Sequence, residues 1–272
     1  MDDDFKKNNP KKLPVLSYSK LSTFKRCAKC YKFQYIDKLP KIDKPYTIFG
    51  KFCHSVLQSF HEYFLQNEID KSKFTQVMTK CFKEQIKIYK EMTREQLDEA
   101  FELIKLYLSY ILNKKTEFPN VVSVEEKIWE EVDGKFIYYG FIDRLQLDSD
   151  GIFHVVDYKT TKDKKYLVKD DAQIKLYAYF VYLKNKDAEK LRTSFILLKH
   201  KSEFMTKEYP IKELVKAKNA FVELWEAVDK EKLFRATPAF NTCTICDFVE
   251  HCQEGSELMQ RKKSHYGKEN AW

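Results

Sequence analysis

From residue 47 to residue 66 the apolar side chains Phe52, Val56, Phe60 and Phe64 return every four positions. That spacing lines one face of an α-helix, so a helix is predicted to start near Thr47, after Pro40–Pro45. Two further helices are predicted over 71–91 and 94–113. The second carries Leu97, Phe101, Ile104, Leu108 and Ile111 in one stripe. At Pro119 the period changes. Val121–Val132 alternates like a strand, Asp133-Gly134 is a hairpin signal, and Phe136–Leu147 is a second strand. Asp148-Ser149-Asp150-Gly151 marks another turn, and Ile152–Tyr158 is apolar enough to be a central strand. A helix follows over 169–182, with Ile174, Ala178 and Val181 facing a core. Strands at 193–198 and 204–209 and a helix at 211–231 complete the pattern. Near the front, Ser17 to Phe24 offers helix-capping serines before an amphipathic turn. There is no internal repeat. Helices, then antiparallel-type strands, then helix and strand predict an α/β core with a helical insertion ahead of it.

Composition narrows the class. The chain has 272 residues, 43% hydrophobic and 15% aromatic, enough to bury a sizeable core, so disorder is expected only at the ends. The formal net charge is +8. Residues 1–50 hold twelve Lys and Arg against five Asp, a net of +7. That segment is either a solvated, partly disordered tail or a DNA-facing rim. No apolar run approaches the roughly 20 residues of a membrane span, and Met1-Asp2-Asp3-Asp4 lacks a signal-peptide core. Seven cysteines without such a signal point to a reducing, cytoplasmic compartment, where clustered cysteines bind metal more often than they pair.

The candidate chemistry sits on the strands. Asp143, in Gly140-Phe141-Ile142-Asp143-Arg144, precedes the triplet Asp157-Tyr158-Lys159. Two acids supply the hard oxygen ligands that Mg²⁺ or Mn²⁺ prefers. Lys159 shares a strand face with Asp157, because side chains alternate with period two. An acid-x-Lys triplet alone is commonly a solvated strand end; an acid, a turn and then acid-x-Lys ending a buried strand is rarer. His54 lies on the first long helix and is a third candidate ligand. His61, seven residues on, reads as an ordinary core or surface residue. Gln173 and Tyr177, four apart, share a helix face. Glu125 rather than Glu126 is taken to support the site from the first long strand.

Cys243-Thr244-Ile245-Cys246 and Cys252 form C-x2-C-x5-C and lack a local fourth ligand. Cys27 or Cys30 would have to supply it. Zn²⁺, an iron–sulfur cluster and reduced structural thiols all remain open on spacing alone. Cys53 and Cys81 read as core cysteines.

In order, Gly50/His54, Gly140/Asp143, Asp157/Lys159 and Gln173/Tyr177 resemble the motifs of the PD-(D/E)XK nuclease superfamily. They look most like its RecB-type branch, which includes the CRISPR adaptation exonucleases and the AddB nuclease domain. Leu16 to Cys27 also looks like the opening helix of that branch. The resemblance spans about residues 16–252. It implies a restriction-endonuclease-like fold, a mixed central sheet flanked by helices, with the helical insertion in front and a cysteine cluster behind. One domain is then expected over 16–256 (helical part 16–118, catalytic core 119–210, clamp 211–256), between a basic lead-in at 1–15 and a tail at 257–272.

By the same resemblance, His54, Asp143, Asp157 and the carbonyl of Tyr158 bind Mg²⁺ or Mn²⁺. Lys159 activates the nucleophile or steadies the transition state, and Gln173 and Tyr177 support substrate and site. A [4Fe–4S] cluster on Cys27, Cys243, Cys246 and Cys252 would staple the chain ends. The register favours Cys27 over Cys30, although Ala28 stands where the branch has Pro. The implied activity is DNA hydrolysis, as an exonuclease on single-stranded ends, in recombination, repair or processing, with a helicase or recombination partner for any unwinding. The alternatives are an endonuclease within a larger complex and a non-catalytic DNA-binding subunit. Oligomeric state is open.

Overall fold

The computed structural model describes residues 9–41, 44–113, 118–162 and 171–269. The chain divides into two compact units. One comprises Asp43–Glu130 and Tyr139–Lys218; the other comprises Met1–Ile42, Glu131–Tyr138 and Asn219–Trp272.

The first unit holds most of the sheet, while Glu131–Tyr138, with the Asp133-Gly134 turn, belongs to the second. Strands β2 (Val121–Val132) and β3 (Phe136–Leu147) pair, and the order continues from β3 to β4 (Phe153–Lys159), β5 (Lys190–Leu197) and β6 (Glu203–Pro210). β3–β4 and β5–β6 are antiparallel and β4–β5 is parallel, so the sheet is mixed. β4 is central, as its apolar run implied: Val155 and Val156 are fully buried. The turn between β2 and β3 has positive φ at both Asp133 (50°) and Gly134 (68°). Two left-handed residues match the twist of a hairpin, which is why an Asp-Gly pair stands there.

Helices α3 (Pro45–Gln66), α4 (Phe74–Ile88) and α5 (Arg94–Asn113) pack over this sheet and share one core with Val156, Tyr158 and Ile196. Pro45 begins α3, where its missing N–H costs nothing. The predicted stripe Phe52, Val56, Phe60 and Phe64 is buried, each side chain contributing roughly 1.5–3 kcal/mol. Two expectations need correcting. Phe101 is 45% exposed, because the buried face of α5 runs through Ala100, Ile104, Leu108 and Ile111 and the small Ala100 takes the inward position. The helix expected over 71–91 is a 3₁₀ turn, Lys71–Lys73, followed by α4, which ends at Ile88. Helix α6 (Ala172–Lys184) connects β4 to the parallel β5, with Ile174, Ala178 and Val181 buried. The start predicted for it at 169–170 lies outside the described residues.

In the second unit, β1 (Val15–Leu16) runs parallel to the first residues of β3, with Val15↔Ile137 and Leu16↔Tyr138 in register. Helix α1 (Tyr18–Arg26) is capped by the Ser17 hydroxyl, which accepts from the Lys20 amide at 3.2 Å. Short α2 (Ala28–Tyr31) follows directly. Helix α7 (Ile211–Lys230) leads from the first unit to α8 (Phe240–Ile245) and α9 (Gln253–Glu269). Among the described residues no helix is long and apolar enough to cross a membrane.

Candidate active site

The register of β3 and β4 is what assembles the site. Pairing runs from Leu147↔Phe153 to Arg144↔Val156. Continued by one residue, that register brings Asp143 close to Asp157, and the Asp143 charge bears on Asp157. Like charges directly opposite on neighbouring strands repel. Here both are withdrawn from water: Asp157 is 4% exposed and the Asp143 side chain 14%. Instead of extending the ladder, the Tyr158 N–H donates to Asp143 Oδ2 at 2.7 Å.

Helix α3 brings His54 to these acids, with Nδ1 3.3 Å from Asp143 Oδ2. Gly50, one turn earlier, permits the approach. A Cβ there would stand 3.2 Å from Thr160 Oγ1, just past the end of β4. Burial works against a charge on His54, but the Asp143 carboxylate outweighs it and pushes the imidazole up to about 9. Asp143 is itself held below the usual range: burial raises it, and His54 and the Tyr158 amide more than reverse that. Asp157 moves the other way, raised by burial and by Asp143 against the pull of Lys159. Lys159 Nζ donates to Asp157 Oδ1 at 3.0 Å. Its 2.8 Å approach to Oδ2 lacks hydrogen-bond geometry, so that buried oxygen has no hydrogen-bond partner.

Glu125 completes the group. It sits in β2 with φ +47°, a strained conformation for a residue with a side chain. Its carboxylate, His54 and Asp143 offer ligand atoms within 4.8 Å of one another. Burial and the Asp143 charge raise Glu125 to about 7. Glu126 instead accepts from Lys184 at 2.8 Å and from Ser123 at 2.5 Å, away from the acids. On α6, Gln173 Nε2 donates to Tyr177 Oη at 2.9 Å. Burial and the Asp157 charge raise the Tyr177 phenol.

Two polar groups were not legible as a site. His61 is buried and shares a bonded network with Arg144, Tyr107 and Tyr158. Arg144 was detectable in principle: alternation from Asp143 points it into the core. The other is a relay in which Asp148 Oδ2 lies 2.9 Å from His154 Nδ1 and His154 Nε2 lies 2.7 Å from Ser194 Oγ. Its order matches a serine-hydrolase triad. Ser194 is fully buried and also bonds Thr206 Oγ1 at 2.7 Å, so the relay ties β4, β5 and β6 together and meets no substrate.

In the second unit, Cys27, Cys30, Cys243, Cys246 and Cys252 line one cavity. Cys27 Sγ accepts from the Thr237 amide at 3.4 Å, and the Cys30 and Cys246 sulfurs are 3.6 Å apart. The Cys30 hydrogen bond holds the Cys246 thiol down near 6, against burial. Gly255 keeps the space open, since a Cβ there would lie 3.4 Å from Cys252 Sγ and 3.6 Å from Cys243 Sγ. Cys53 and Cys81 are buried in the core of the first unit.

The mixed sheet, flanked by helices, thus carries Asp143 on β3 and Asp157 and Lys159 on β4 beside His54 and Glu125. The family model described as the PD-(D/E)XK nuclease superfamily matches residues 15–253. The chain therefore belongs to the PD-(D/E)XK nuclease superfamily. Among solved structures, an exonuclease candidate from Eubacterium rectale is similar in fold, with 12% identity, TM-score 0.51 and 93% of each chain covered. The crystal structure of SSO0001 is 15% identical with TM-score 0.42, covering 92% of this chain and 93% of that one. No curated protein matches this chain.

Proposed function

We propose that this chain is a divalent-cation-dependent DNA nuclease of the RecB-type branch, acting as an exonuclease on single-stranded ends. One observation carries the reading. His54, Glu125 and Asp143 offer ligand atoms within 4.8 Å of one another, and the buried Asp157 carboxylate, raised partly by the Asp143 charge, stands beside them. Acids and an imidazole gathered in this way suit a divalent cation. His54, Glu125, Asp143 and Asp157 would hold Mg²⁺ or Mn²⁺, with the Tyr158 carbonyl as a further ligand. The ion supplies charge neutralisation and activated water for phosphodiester hydrolysis. Lys159, anchored on Asp157, presents an ammonium where negative charge grows on the phosphate. Tyr177, oriented by Gln173, closes the α6 side of the site and supports the substrate. As a ligand, His54 would have to be neutral.

The same reading puts a [4Fe–4S] cluster on Cys27, Cys243, Cys246 and Cys252, supported by their lining one cavity with Cys30. Zn²⁺ on the same thiolates is the alternative. The cluster's role is structural, closing the N- and C-terminal segments of its unit.

End-labelled and circular DNA, single- and double-stranded, incubated with Mg²⁺ or Mn²⁺ and with wild type or Lys159→Ala, test the activity. Loss of cutting in the variant is expected. Equal cutting by both proteins removes the site, and cleavage of circles replaces the exonuclease reading with an endonuclease one. No cutting of any substrate by wild type leaves a DNA-binding subunit.

A further inference from the structure

Arg144 is 1% exposed, and no carboxylate among the described residues lies within ion-pair distance of it. Its Nη1 donates to Tyr107 Oη at 2.7 Å and Tyr158 Oη at 3.0 Å, and lies 3.0 Å from His61 Nε2. Its Nε has no partner. Burial drives the Tyr158 phenol well up, and burial and the guanidinium drive His61 well down, so neither offers a countercharge. A buried guanidinium bonded only to phenols and an imidazole, with the Asp148 charge helping without a direct ion pair, is expensive, and an apolar side chain of similar volume would ordinarily serve the core better.

What the guanidinium holds explains its presence. Tyr158 lies between Asp157 and Lys159, with its ring on the opposite face of β4. The Tyr158 N–H binds Asp143, its ring meets the His54 ring edge-on at 5.9 Å, and its hydroxyl accepts from Arg144. One residue thus touches or adjoins four members of the site. We propose that Arg144 is a positioning residue for this nuclease site, anchoring the Tyr158 ring so that the Tyr158 peptide holds Asp143, Asp157 and Lys159 in register with His54. The inference rests on the metal-dependent reading above.

The test compares Arg144→Met, Arg144→Lys and Tyr158→Phe with wild type in the full chain. Partners that orient metal ligands typically contribute tenfold or more to affinity or rate. Arg144→Met is expected to fold, to bind Mn²⁺ roughly tenfold more weakly by electron paramagnetic resonance, and to lose kcat similarly with KM for DNA unchanged. Arg144→Lys should recover part of both. A lower melting temperature with unchanged Mn²⁺ affinity and kcat would make Arg144 a purely structural residue and overturn the proposal. If Arg144→Met does not fold, Tyr158→Phe, which removes only the anchored hydroxyl, must weaken Mn²⁺ binding; no change overturns the proposal. A metal-free readout separates this inference from the function. At fixed pH the His54 ring proton resonance should shift in Arg144→Met or Tyr158→Phe. If wild type neither binds Mn²⁺ nor cuts DNA, the nuclease reading falls, and an unshifted His54 resonance removes the positioning role as well.

Discussion

His54 Nδ1 and Asp143 Oδ2 stand 3.3 Å apart, an imidazolium–carboxylate pair that closes the site from the helix side. A metal needs the imidazole neutral. With His54 raised to about 9, it carries its proton at neutral pH, and binding a cation must release it. Mn²⁺ affinity should therefore rise with pH, about tenfold per unit for each proton displaced, and level off above pH 9. Glu125, raised to about 7, adds a second proton below neutrality and steepens the dependence there. Calorimetry in buffers of different ionisation enthalpy measures the protons released; affinity independent of pH would contradict the pairing.

Asp157 trades stability for chemistry. Its folded-state pKa lies above the ordinary value, so the ionised form costs stability as pH rises through that range. Asp157→Asn should melt at the same temperature as wild type or higher at pH 7, while DNA cutting falls at least roughly 100-fold. A variant that loses both activity and stability would show that the carboxylate holds the fold.

The Asp148–His154–Ser194 relay should behave in the opposite sense. Ser194→Ala leaves buried partners unsatisfied and should cost roughly 1–3 kcal/mol in a denaturant titration, with cutting per folded molecule unchanged. Burial raises Asp148, but bonds from His154, Gln146 and Arg192 bring it well below the carboxylate range. Its contribution is present above about pH 4 and is lost as pH falls below that value. Asp148→Asn should flatten the acid limb of the stability curve. Loss of activity in folded Ser194→Ala would reopen the relay as a site.

Anaerobically purified protein should be brown and contain iron and sulfide. Cys243→Ser or Cys252→Ser should lose the colour, and Cys30→Ser should keep it. Removing the group with a chelator should lower the melting temperature, because ligand binding to the folded state is folding free energy. Colourless protein with stoichiometric zinc would refute the cluster.

Local patterns carried much of the fold. The four-residue recurrence of Phe52, Val56, Phe60 and Phe64 and the Asp133-Gly134 turn encode their structures within a few residues. The stripe at Phe101 misled because neighbouring faces of an amphipathic helix differ by one position, and only packing selects Ala100 over Phe101. Glu125 and Glu126 posed the same problem. The positive φ at Glu125 breaks simple strand alternation, so sequence parity could not decide which acid faces the site.

The sequence by itself determined which residue types were available: two acids and a lysine on strands, a histidine one turn after a glycine, and cysteines at both ends. Their order along the chain carries the family likeness. Tertiary structure decided proximity. The β3–β4 register brings Asp143 close to Asp157, a small residue at Gly50 brings His54 within reach, and the core gives Arg144 phenol and imidazole partners. These relations join residues tens of positions apart, through packing and burial that no local pattern encodes.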